Sequence, residues 1–162
     1  WVAAIARGSR QDKVQEGAVD ALWRATGGPL PWEELWDREE QGGAAALTLT
    51  EQHLLRADMY GSEVDNGGHS QYFINSSGGN WRLALAGLNA AGALKHAELL
   101  QSAVDLFGED GPPEDYSERG EAMDRLSSEL MPALDELDTR FYELTDSLAA
   151  KMALYYLNQV RK

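Results

Sequence analysis

The sequence predicts an all-α protein, a single compact multi-helix domain of about seven to nine helices with a glycine-rich turn at 66–68. Three observations carry that expectation. Apolar residues recur at three- and four-residue intervals, no segment alternates apolar with polar residues as a strand does, and the interruptions fall on glycine and proline pairs. With 162 residues, 43% of them hydrophobic and 25% charged, the chain has the composition of one soluble globular core.

The elements follow in order. Val14, Ala18 and Leu22 recur at helical spacing until Gly27, Gly28, Pro29 and Pro31 stop them, and Trp32, Leu35 and Trp36 mark a short second helix that Gly42 and Gly43 end. Residues 1–46 therefore read as a helical extension packed on a main domain of residues 47–162. Thr48 with Glu51 matches a capping box, and Thr50 can also cap, ahead of Leu54, Leu55, Met59 and Val64. That helix is expected to end near Asn66, where Gly67 and Gly68 supply a sharp turn. A short helix carrying Tyr72, Phe73 and Ile74 follows, closed by Gly78 and Gly79.

Trp81, Leu85 and Leu88 mark the next helix, and Ala97, Leu100, Val104 and Phe107 another, with Gly92 between. After an acidic loop through Pro112 and Pro113, Met123, Leu126 and Leu130 define a helix expected to stop before Pro132. Leu134, Leu137, Phe141, Leu144 and Leu148 then form one regular stripe, and Met152, Tyr156 and Val160 a last helix. Internal repeats, low-complexity tracts and coiled-coil heptads do not occur.

Charge is the main departure from average. The 27 acids outnumber 14 bases, for a net charge of -13. Such a surface repels nucleic acid and attracts basic proteins, DNA-binding ones included. Residues 96–162 hold 15 acids and 6 bases, and no Lys or Arg lies between His96 and Glu118. Glu98, Asp105, Glu109, Asp110, Glu114, Asp115 and Glu118 are thus the core of an expected acidic face, extended by Asp135, Glu136, Asp138 and Glu143. Asp135 and Glu136 are expected in a first helical turn, which favours negative charge, and Glu136 with Arg140 as an i,i+4 pair. Glu33, Glu34, Asp37, Glu39 and Glu40 form a second cluster. At about 1.7 Å of duplex per phosphate charge, the net charge matches about 22 Å of DNA.

Chemistry-bearing patterns are sparse. The chain has no cysteine, which excludes disulfides, thiolate catalysis and sulfur-ligated metal. His53, His69 and His96 stand at no metal-ligand spacing, and the glycines match no phosphate-binding pattern, so neither a metal nor a cofactor is expected. Glu63, His69 and Gln71 could form an acid-base set across the glycine turn. Against this, Glu63 follows Leu55 and Met59 along the apolar seam, where it would accept hydrogen bonds from backbone N–H groups or Asn66, while Gln71 and Asn75 satisfy buried loop groups. No enzyme class emerges. The apolar runs are too short to span a bilayer, and a cytoplasmic location is expected. The chain opens on Trp1, as a trimmed or partial chain would.

The run Glu63-Val64-Asp65-Asn66-Gly67-Gly68-His69-Ser70-Gln71-Tyr72-Phe73-Ile74-Asn75-Ser76-Ser77-Gly78 resembles the signature of a bacterial domain family of otherwise unknown function, typified by the C-terminal domain of the neisserial DNA-mimic protein. The likeness continues through Leu49-Thr50-Glu51-Gln52, the region from Leu88 to Gly92, and Asp135-Glu136-Leu137-Asp138 with Arg140-Phe141-Tyr142, covering about residues 47 to 160. Asp65, His69 and Ile74 stand where the family pattern has Asn, Phe, and Trp or Phe.

The resemblance implies a mostly helical fold, an acidic surface shaped like duplex DNA, dimerisation, and a helix-turn-helix repressor as partner. Within it, Glu63, Asn66, Gly67, Gly68, Gln71, Tyr72, Phe73 and Asn75 read as core architecture. The leading expectation is a non-enzymatic acidic protein that occupies the basic DNA-contact surface of a regulator, without binding nucleic acid or membrane. The alternatives are a helical interaction or immunity-like module without mimicry and, below it, an enzyme using Glu63, His69 and Gln71.

Overall fold

The computed structural model describes residues 32–160, and the first expected helix, with Val14, Ala18 and Leu22, lies outside them. The described residues form helices only. They are α1 (Trp32–Gly42), α2 (Leu49–Ile74), α3 (Trp81–Ala90), α4 (Leu94–Asp105), α5 (Tyr116–Tyr142) and α6 (Leu148–Val160), with 3-10 turns at Ala44–Ala46 and Ser76–Asn80.

The long helix α2 starts where its sequence dictates. Thr48 Oγ1 accepts from the Glu51 N–H at 3.3 Å while the Glu51 carboxylate accepts from the Thr48 N–H at 2.7 Å, a complete capping box. Arg38 of α1 then donates to the same carboxylate at 2.7 and 3.1 Å, tying the two helices together. Leu35, Leu47 and Leu55 bury the junction beneath this ion pair.

Midway, α2 breaks. Gly67 (φ -162°, ψ 24°) and Gly68 (φ 78°, ψ 179°) leave helical geometry, so the expected end near Asn66 and the short helix after it are two arms of one bent element. The Gly68 conformation is essentially closed to residues with a side chain. A Cβ there would also collide with the Asp138 carboxylate.

The bent helix is the centre of the fold, touching α3, α5 and α6 along its length and α1 near its start. Its Leu54, Tyr60, Val64, Tyr72 and Phe73 meet Leu88 of α3, Leu100 of α4, Leu130 and Leu134 of α5, and Met152 of α6 in one buried cluster. Each such side chain withdrawn from water stabilises by roughly 1.5–3 kcal/mol before entropy is counted.

Three expectations are corrected. Pro132 does not stop a helix but lies inside α5. It cannot donate to the Ser128 carbonyl, yet both residues are exposed, so the missing bond falls on the solvent side of α5, while Leu130, Leu134, Leu137 and Phe141 stay buried on one side. Asp135 and Glu136 consequently sit in mid-helix, where no N-terminal dipole favours them. The apolar stripe is also split, because α5 ends at Tyr142 and Leu148 opens α6. No helix among the described residues is long and apolar enough to cross a membrane.

Candidate functional site

The glycine bend assembles a buried polar centre. With Gly68 turned, the His69 backbone N–H points at Asp138 Oδ1 of α5 at 2.8 Å, and the ring Nδ1 meets the same oxygen. Nε2 lies 3.0 Å from the Tyr60 hydroxyl, so both ring nitrogens are engaged in a side chain with no exposed surface. The ring also packs edge-on to Phe141, filling an aromatic place. Burial lowers the His69 pKa and outweighs the neighbouring Asp138 carboxylate, which acts in the opposite sense.

This geometry corrects Asp138. It was expected among the outward acids, but its side chain is only 15% exposed and is committed to His69. Its place next to Leu137 in the sequence gave no sign of that partner, which lies 69 residues away.

On the other side of the bend, Glu63 gathers side-chain donors. Its Oε2 accepts from Gln71 Nε2 at 2.7 Å and Asn75 Nδ2 at 2.9 Å, and Oε1 accepts from Ser77 Oγ at 3.2 Å. The expected donors, backbone N–H groups and Asn66, are replaced by these three side chains. Glu63 and Gln71 are brought together, but His69 is not with them, since its nitrogens face Asp138 and Tyr60. Among the described residues no group of three or more His, Asp or Glu could hold a metal ion.

The acidic stretch forms a different surface. Asp105 ends α4 and accepts from Gln101 Nε2 at 2.7 Å, and Glu109 and Asp110 stand exposed in the following loop. The loop is anchored by Trp81 Nε1, which donates to the Pro112 carbonyl at 3.0 Å. Asp115 caps α5, accepting from the Ser117 and Glu118 N–H groups at 2.9 and 3.0 Å. Glu118 is exposed one turn on, and Glu121 and Asp124, not singled out from the sequence, continue the series at three-residue spacing. That spacing, extended from Glu118, is the signal in the sequence that could have found them.

Positive charge barely intrudes on this stretch. Arg119 is fully buried and donates to the carbonyls of Phe73, Asn75, Pro113 and Glu114 at 2.7 to 2.9 Å. Exposed Arg82 pairs with Glu114. The remaining acids stand apart. Glu98 on α4 is paired with Arg140 at 3.4 Å, which replaces the expected Glu136–Arg140 pair, and both line a hollow of about 380 Å³ with Lys95 and Glu143. Asp135 and Glu136 are exposed farther along α5, so the expected residues do not all share one patch.

The acids of α1 lie at the opposite end of α2, because α1 packs beside Leu55 whereas the 105–124 stretch is held to Phe73 and Asn75. The family described as DMP19-like protein matches residues 45–160 of the chain. No curated protein and no solved structure matches it.

Proposed function

The chain belongs to the DMP19-like protein family, and from that premise we propose that it is a non-enzymatic acidic binding protein, a DNA mimic that occupies the basic DNA-contact surface of a DNA-binding regulator. The observation that carries this reading is the stretch from Asp105 to Asp124, with eight carboxylates and one base. That base, Arg119, points inward onto carbonyls, so it does not neutralise the outward acids.

In this reading residues 47–162 are the binding domain, residues 1–46 are an extension to it, and the protein acts in the cytoplasm. A helix-turn-helix regulator supplies the basic surface, and a homodimer would double the array. The bend residues Glu63, His69 and Gln71 hold the fold rather than perform chemistry.

The test is capture of partners from native lysate on the full chain, at low and high salt and with added duplex DNA. A mimic's partners are DNA-binding proteins released both by salt and by duplex. Reversing Asp110, Glu114, Asp115 and Glu118 to lysine weakens that binding by about 1 kcal/mol or more in total; because Asp115 caps α5, binding is measured at a temperature where the variant is folded. Partners that survive high salt and ignore duplex DNA overturn the reading.

A further inference from the structure

We propose that the groove between the end of α2 and the first half of α5 docks a cationic amphipathic helix. Ile74 and Tyr116 remain 51% and 61% exposed in the folded chain, although each is a large apolar side chain. Together with Met123 and Met131 they line a hollow of about 500 Å³. Its remaining polar lining includes Glu121 and Asp124 and no basic residue.

Shape and charge select the occupant together. From Tyr116 to Met131 the groove follows α5 for fifteen residues, about 22 Å at 1.5 Å per residue, which is four turns of a helix laid alongside. A helix seated there presents apolar anchors at i, i+3 or i+4 and i+7 to Ile74, Tyr116 and the methionines. Methionine's unbranched, polarisable chain lets such a surface adapt to several anchor shapes. Lysine or arginine flanking the anchors meets Glu121 and Asp124, whereas an acidic helix is repelled. A second copy of this chain is a poor occupant, since it brings a net charge of -13 to a rim that is already negative.

This inference rests on the acidic-binding reading for the sign of the partner's charge and adds an apolar contact that mimicry does not require. Charge alone would treat every cationic peptide alike, and the groove does not.

The probe is a fluorescein-labelled synthetic peptide of about 16 residues, with leucines at helical spacing flanked by lysines, titrated by anisotropy against the full chain. One comparison peptide has the same composition scrambled, and another carries glutamate for lysine. The leucine-lysine helix binds, and both comparisons bind at least about tenfold more weakly. Ile74→Ser/Tyr116→Ser, surface changes checked by melting, also weaken the helix about tenfold or more.

Equal binding of the scrambled peptide, or no effect of the double substitution, overturns the groove. So does a dimer in sedimentation that the double substitution dissociates, because the occupant is then a second copy. The two proposals fail separately: loss of duplex-competed capture with peptide binding intact removes mimicry alone, and the reverse removes the groove alone.

Discussion

Arg119 Nε donates a 2.7 Å hydrogen bond to the carbonyl of Phe73, joining the start of α5 to the end of α2 across 46 residues of chain. The same guanidinium reaches the Asn75, Pro113 and Glu114 carbonyls at 2.8 to 2.9 Å. Carbonyls at a helix C-terminus carry the negative end of its dipole, so the buried cation is compensated without a carboxylate.

Removing that guanidinium strands several buried carbonyls at once. Arg119→Met is expected to lose about 3 kcal/mol or more of stability in urea denaturation. Arg119→Lys recovers only part, because one ammonium cannot reproduce the planar fork. A lysine variant as stable as the parent would show that charge rather than geometry holds the two helices.

Gly68 and Gly92 differ in what a side chain would meet. Both have positive φ, 78° and 69°, but a Cβ at Gly92 meets nothing within 4 Å while one at Gly68 collides with Asp138. Gly92→Ala is expected to cost about 1 kcal/mol, the backbone penalty alone. Gly68→Ala costs at least about 2 kcal/mol more, since its backbone conformation is closed to a side chain and the His69–Asp138 contact must open as well. Similar losses in thermal melts of the two variants would refute both the backbone strain and the collision assigned to Gly68.

Asp58 and His96 titrate in opposite senses. Burial pushes the Asp58 carboxyl up to about 6. Burial likewise pulls His96 down to about 4, a shift that Asp146 opposes and Lys151 and Lys95 reinforce. The Asp58 contribution to stability is full below the ordinary carboxyl value and is lost as pH rises through about 6. That of His96 is full above the ordinary imidazole value and is lost as pH falls through about 4. Each is worth about 3 kcal/mol across its window at 1.36 kcal/mol per unit. Relative to the parent, Asp58→Asn therefore gains stability on going from pH 3.5 to pH 7.5, and His96→Asn gains it in the reverse direction. Urea denaturation at the two pH values measures both, and differences that do not change with pH would refute the assignment.

Glu63→Gln tests the other side of the bend. The new amide turns a donor toward Gln71 or Asn75, both already donating there, so about 1 to 3 kcal/mol is lost. Partner capture at a temperature where the variant is folded should be unchanged. A folded variant that no longer binds would move the site from the acidic stretch to the bend.

Much of this was legible in the sequence wherever the determinant is local. The Thr48–Glu51 box, the break at Gly67–Gly68, the apolar spacing of α3 and the acid content of residues 105–118 each depend on neighbours a few residues apart. What the sequence hid depends on distant partners. Asp138 looks like any outward acid until His69 is placed beside it, and Arg119 looks like a surface base until Phe73 and Asn75 surround it. Pro132 misled for a related reason: its cost is set by whether water reaches the Ser128 carbonyl, which depends on the way α5 faces. Glu63 lies between these cases, its inward lean legible from Leu55 and Met59 but its donors dependent on the bend.

The anchoring of the loop between α4 and α5 bears on how tightly anything can hold it. Trp81 grips the Pro112 carbonyl and Arg119 the next two, Pro113 and Glu114. A partner arriving at Glu109 to Glu118 meets carboxylates whose backbone freedom was surrendered during folding, so little ordering entropy remains to be lost on association. Cutting the Trp81 tether would leave the net charge untouched while making the complex dissociate faster.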